Sequence, residues 1–141
     1  MANPMAEFKQ SFTKEYTLHG KVFLLKSLNT KEIEDIEITL RGKYNINSID
    51  ELNYGLQKTE ILSRAILSVD GIRLSQFDSV IEDINSKNYT EEEAIKKEIS
   101  SWDDTITSLL HLSYLSLIKE KDEKFKEDIE KFKKYLSPSP L

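Results

Sequence analysis

In the stretch Ile61-Leu62-Ser63-Arg64-Ala65-Ile66-Leu67-Ser68-Val69-Asp70-Gly71-Ile72-Arg73-Leu74, a helical apolar spacing runs straight into an Asp-Gly turn and then a short apolar-polar-apolar run. Asp-Gly supplies the positive φ values of a tight reversal, so Val69 and Ile72 are expected to meet across a turn even if the flanking strands are only two or three residues long. Upstream, Ser48 and Glu51 form a capping box. From there Leu52, Leu56, Leu62, Ala65, Ile66 and Val69 follow one face, which predicts a helix over 49–69 that stops at the turn. Gly55 inside it costs ~1 kcal/mol relative to Ala.

Working outward toward the N-terminus, Asn29 with Glu32 makes a second capping box, opening a helix near 30–41 with Ile33, Ile36 and Leu40 as its core stripe and Gly42 as its stop. Before it, Glu15-Tyr16-Thr17-Leu18 and Val22 to Leu28 read as two strands joined at His19-Gly20. Tyr16 and Leu18 then share a face with either Val22 and Leu24 or Phe23 and Leu25, and both registers fit the pattern. Residues 1–13, with Phe8 and Phe12 four apart, are too short to fold alone and read as an arm.

Toward the C-terminus, Phe77, Val80, Ile81 and Ile84 give a short amphipathic helix over 76–85. Thr90 with Glu93 is a third capping box, and Ile95, Ile99, Trp102, Ile106, Leu109, Leu110 and Leu117 continue one stripe, predicting a long helix over 91–118 unless Ser101 with Asp104 restarts it. Lys119 to Lys124 is wholly charged. The apolar spacing resumes at Phe125, Ile129, Phe132 and Leu136, before Pro138 and Pro140 stop it. The expected architecture is α+β and predominantly α-helical: an N-terminal β-hairpin packed on a helical bundle with a long C-terminal helix. It divides into an arm (1–13), one globular domain (14–118) and a C-terminal helical extension and tail (119–141). Leu40, Leu62, Ile66, Ile99, Trp102, Ile106 and Leu109 are the expected core.

Bulk properties narrow the function classes. The 141 residues suffice for one domain that buries roughly two-thirds of its unfolded surface. With no cysteine, thiol catalysis, disulfides and cysteine-based zinc sites are excluded. No apolar run approaches the ~20 residues of a membrane span, and Met1 to Gln10 lacks the pattern of a signal peptide, which points to a cytoplasmic protein. A net charge of −5, with Arg41, Arg64 and Arg73 the only arginines, argues against nucleic acid as a partner. Nine acids against three lysines fall between Asp78 and Asp104, a block that reads as a solvated helical face.

Residues that could carry chemistry are few. His19 sits at a hairpin tip and His111 on a helix, neither with a partner at metal-ligand spacing, so no metal is expected. Asp104 and His111, seven apart, share a helical face and with Asp103 would be the pair of a small hydrolase. The simpler reading makes Asp104 part of a helix start and sets His111 beside the leucine stripe. Gly20, Gly42, Gly55 and Gly71 are scattered, so there is no phosphate-cradling loop, and no serine stands in a nucleophile elbow. Trp102 and Tyr114 continue the apolar stripe and read as core. The expectation is a non-enzyme without cofactor or small-molecule substrate. Phe125, Ile129, Phe132 and Leu136 are costly to leave wet, at ~1.5 to 3 kcal/mol each, so they pack on this domain or on another chain. With Phe8 and Phe12 they are the expected contact residues, entering grooves on neighbouring chains.

The run Tyr16 to Leu28, the Asn29-Thr30-Lys31-Glu32 helix start, the phrase Ala65 to Ile72 and the pattern Trp102 to Leu117 with Tyr114 resemble the order of elements in small tail and baseplate assembly proteins of tailed bacteriophages. The resemblance covers roughly residues 14–117 and brings no catalytic residues with it. It implies an assembly chaperone or small structural subunit, with other tail or baseplate proteins or further copies of itself as partners, in the host cytoplasm during assembly or in the virion. A generic helical adaptor is the alternative, distinguished by the genes that neighbour it.

Overall fold

The structure, a computed structural model, describes residues 4–44 and 54–136. The Ser48/Glu51 capping box, Leu52, the side chains of Phe8 and Leu56, and Pro138 and Pro140 lie outside the described residues. After a 3₁₀ turn at Ala6–Lys9, the chain forms a hairpin of β1 (Thr13–Leu18) and β2 (Lys21–Lys26). His19 (φ 51°) and Gly20 (φ 76°) are both left-handed, the backbone of the two-residue turn that matches strand twist. Tyr16 stands opposite Phe23 and Lys14 opposite Leu25, so the Phe23/Leu25 set takes the core face. The ladder continues one pair beyond Thr13 and Lys26. Ser27 N–H donates to the Phe12 carbonyl at 2.8 Å, and Phe12 N–H donates to Ser27 Oγ at 3.0 Å.

The Asn29 box forms in both directions: Glu32 N–H donates to Asn29 Oδ1 at 2.9 Å and Asn29 N–H to Glu32 Oε1 at 3.0 Å. It opens α1 (Thr30–Tyr44), which runs past Gly42 because that glycine keeps a helical backbone instead of turning left-handed. Ile36 and Leu40 are buried, whereas Ile33, one turn nearer the helix start, lies beyond the edge of the core and is exposed.

Between Ile61 and Leu74 the chain departs from the helix expected over 49–69. The helix α2 (Tyr54–Ala65) ends at Ala65, and Ile66–Val69 forms β3, antiparallel to β2 in a sheet of order β1-β2-β3. Leu25 pairs with Ile66 but Leu24 with Ser68, so one extra residue, Leu67, bulges out. The bulge puts Ile66 and Val69, three apart, on the same buried face opposite Leu25 and Phe23. A helical spacing is thus satisfied by a strand. Asp70 (φ 51°) and Gly71 (φ 80°) make the expected reversal, with Val69 and Ile72 exchanging backbone hydrogen bonds of 2.9 and 3.0 Å. Asp70 also ties the turn to the hairpin: its N–H donates to the Val22 carbonyl, and its Oδ1 accepts from Val22 N–H, both at 2.7 Å.

After a 3₁₀ turn at Leu74–Gln76 come α3 (Asp78–Lys87), α4 (Glu91–Ser100), α5 (Asp104–Lys124) and α6 (Lys126–Leu136). On α3, Val80 is buried while Ile81 is exposed. Thr90 caps α4, its Oγ1 accepting from Glu93 N–H at 3.1 Å. The single helix expected over 91–118 is two, because Asp103, rather than Ser101, caps a fresh start by accepting from Thr105 N–H at 2.9 Å. Trp102 sits in the break, half-buried, edge-on to Phe23 at 6.2 Å between ring centroids. The helix expected to end at 118 does not stop there. The α5 helix carries on through the charged segment, and the chain breaks at Phe125 instead.

One core joins Phe23, Leu25, Leu28, Ile36, Leu40, Leu62, Ala65, Ile66, Val69, Leu74, Ile99, Leu110, Tyr114 and Leu117. Ile106 and Trp102 pack at its margin and Leu109 is exposed: the stripe read across 91–118 as one helix loses its phase at the break. Between α2 and α4 a nearly buried Glu60 carboxylate accepts from Arg64 and Lys96, both at 2.9 Å, and the same two cations reach Glu92 at 3.2 and 3.0 Å. Alternating signs leave no charge of this group unpaired.

Candidate functional site

Asp104 and His111 are on α5, as their spacing implies, but they stand in different surroundings. The Asp104 side chain is largely in water at the helix start, where Lys58 of α2 donates to its Oδ1 at 2.8 Å and to Ser108 Oγ at 2.9 Å. His111 is 3% exposed, and its ring stacks on Tyr114 with centroids 6.4 Å apart. Burial, and after it the positive charge of Lys58, hold the imidazole below its ordinary pKa. A carboxylate engaged by a lysine and an imidazole kept in the core do not make an acid-base pair open to a substrate. Asp103 is occupied as the cap of α5, and His19 is exposed at the hairpin tip. Among the described residues no three of His, Asp and Glu converge as ligands would. Lys58 and Ser108 escaped the sequence reading. Forty-six positions separate Lys58 from Asp104, and only α2 packing on α5 unites them.

A second polar centre joins Asp83, buried on α3, to Lys97 at 3.2 Å and Lys87 at 3.4 Å, with Lys97 also over the Tyr89 ring at 5.3 Å. Burial pushes the Asp83 carboxyl up, and the lysine hydrogen bonds outweigh it and hold the carboxyl below its ordinary value. This group docks α3 on α4 and offers no open coordination or nucleophile.

The apolar residues of the two ends separate into two groups. Phe12 packs on the core margin and meets Phe125 edge-on at 6.4 Å, with Lys124 over the Phe12 ring at 4.6 Å and an ion pair from Lys14 to Glu120 beside them. Phe12, Leu28, Ile33 and Phe125 line a cleft of about 360 Å³. Phe12 and Phe125 therefore join the arm to the α5–α6 corner within one chain. The other group lies beyond the corner. Ile129 is half-buried, facing Leu115 and Ile118 across an open groove of about 460 Å³ between α5 and α6. Phe132, Tyr135 and Leu136 are 68%, 85% and 74% exposed, and no described residue of α6 is buried. Leu109, expected in the core, lies instead with Leu112 and Leu115 in a further exposed apolar row, spaced by three along α5.

No described helix is long and apolar enough to cross a membrane. No protein-family model, curated protein or solved structure matches this chain.

Proposed function

We propose that the chain is a non-enzymatic bacteriophage tail or baseplate protein, a structural subunit or assembly chaperone that works through protein-protein contacts. The observation that carries the contact part of this reading is the exposure of Leu112, Phe132, Tyr135 and Leu136 on α5 and α6. Each large side chain left in water forgoes ~1.5 to 3 kcal/mol that a partner surface supplies. The order of hairpin, Asn29-capped helix and Asp70-Gly71 turn supports the tail assignment through the resemblance alone. The occupied states of Asp104 and His111 favour contact over hydrolysis.

The test is co-expression of the full chain with the products of its neighbouring genes. Tape-measure, tube or baseplate genes are expected beside it, and one of their products is expected to co-purify with the wild type and not with Phe132→Asp at equal thermal stability. An operon of metabolic genes, or unchanged co-purification by the Phe132→Asp and Leu112→Asp chains, would overturn the reading.

A further inference from the structure

Of all the elements, α6 separates its apolar and charged residues most sharply and uses that separation least within the chain. Phe125, Ile129, Phe132 and Leu136 are spaced four, three and four apart, the d, a, d, a positions of a heptad. In that frame Asp128 is a g position, and Lys126 and Lys133 are e positions, flanking the seam. Glu127 and Lys131, the ion pair α6 makes along itself at 3.7 Å, fall at f and c on the far side. Asp128 and Lys133 make no ion pair with any described residue, and both are exposed.

We infer that the stripe Ile129, Phe132, Leu136 is covered by the α6 helix of a second copy of this chain, lying parallel to it across a twofold axis. The inference rests on the reading of α6 as a contact surface given above. Charge decides the orientation. In a parallel pair each g residue faces the e residue five positions on in its partner, which sets Asp128 against Lys133 twice. In an antiparallel pair e faces e, and Lys126 would meet Lys133 twice, with like charges opposed. Phe125 is engaged by Phe12, so the seam begins at Ile129 and spans less than two heptads. A seam this short buries little surface, so association is weak and depends on concentration.

Sedimentation velocity on the full chain, from about 5 to about 500 μM, tests it. The wild type is expected to pass from monomer to dimer, and Phe132→Asp to stay monomeric with an unchanged melting temperature. Lys133→Glu and Asp128→Lys should each weaken the dimer by about three- to tenfold, and the two together should restore it. A wild type that is monomeric throughout would overturn the inference. So would a Lys133→Glu dimer tighter than the wild type, the result an antiparallel pair gives, or unfolding of Phe132→Asp, which would show the stripe to be core. A monomeric wild type that still loses its tail partner on Phe132→Asp overturns self-pairing alone. A dimer lost on Phe132→Asp while the tail partner is retained upholds self-pairing and removes the tail contact from this surface.

Discussion

Leu109 and Leu110 are sequence neighbours on α5 with opposite fates: Leu110 is wholly buried, and Leu109 is 40% exposed. Leu110→Ala should cost about 2 to 5 kcal/mol through lost burial and the cavity left behind, whereas Leu109→Ala should cost under about 1 kcal/mol, both read from urea unfolding. Equal losses would mean that α5 is rotated from its assigned phase. The sequence could not separate the two, because an apolar stripe wider than a quarter-turn accepts both until the packing partner is known. Thr107 and His111 were missed as core for a different reason, that their polar atoms mask buried positions, whereas Tyr114, read as core, is buried. Buried His111 gives a pH dependence with a definite sign. Its pKa in the folded chain is below the unfolded 6.5, so the unfolded state binds more protons as pH falls, and stability present at neutral pH is lost on acidification below about 6.5. Melting temperature should drop between about pH 7.5 and about pH 5.5 in the wild type, and less in His111→Gln. An identical drop in the variant would assign acid sensitivity to other groups.

At the scale of elements, capping and turn chemistry were the most legible signals and helix extent the least. Asn29/Glu32, Thr90/Glu93, His19-Gly20 and Asp70-Gly71 all act where the letters place them, since each is a short-range device that needs only its own backbone. The strand Ile66–Val69 was misread as helix because a bulge at Leu67 reproduces the i, i+3 spacing, and a bulge depends on β2, more than forty residues away. The break at Ser101–Asp103 was offered only as an alternative start at Ser101, because Ile99 in α4 and Trp102 in the break both join the core and so continue an apparent stripe. Asp70 is the residue on which this region turns: it adopts the left-handed backbone and accepts the Val22 N–H. Asp70→Asn, which keeps both properties, should change stability by less than about 0.5 kcal/mol, and Asp70→Val by about 2 kcal/mol or more, measured by thermal unfolding. Equal effects would show that the side-chain link to β2 contributes nothing.

For the whole molecule, the fold closes one core around the sheet, α1, α2, α4 and α5, and ties α3 to α4 through the Asp83–Lys97 ion pair. What remains outside that closure is α6 and the outer row of α5. The sequence already marked Phe125, Ile129, Phe132 and Leu136 as a set, and it left open whether they pack within the chain. The structure divides them at the corner where Phe125 meets Phe12, a contact between residues 113 positions apart that no local pattern announces. The most direct measurement is amide hydrogen exchange along α5 and α6, in the dilute full chain and again in complex with its tail partner or at dimer-forming concentration. Amides of Lys126–Leu136 are expected to exchange rapidly in the dilute chain, far faster than those around Leu110 and Tyr114, and to become protected on assembly. Protection of α6 equal to that of the Leu110 region in the dilute monomer would contradict this expectation, showing that the stripe is already covered in its own chain.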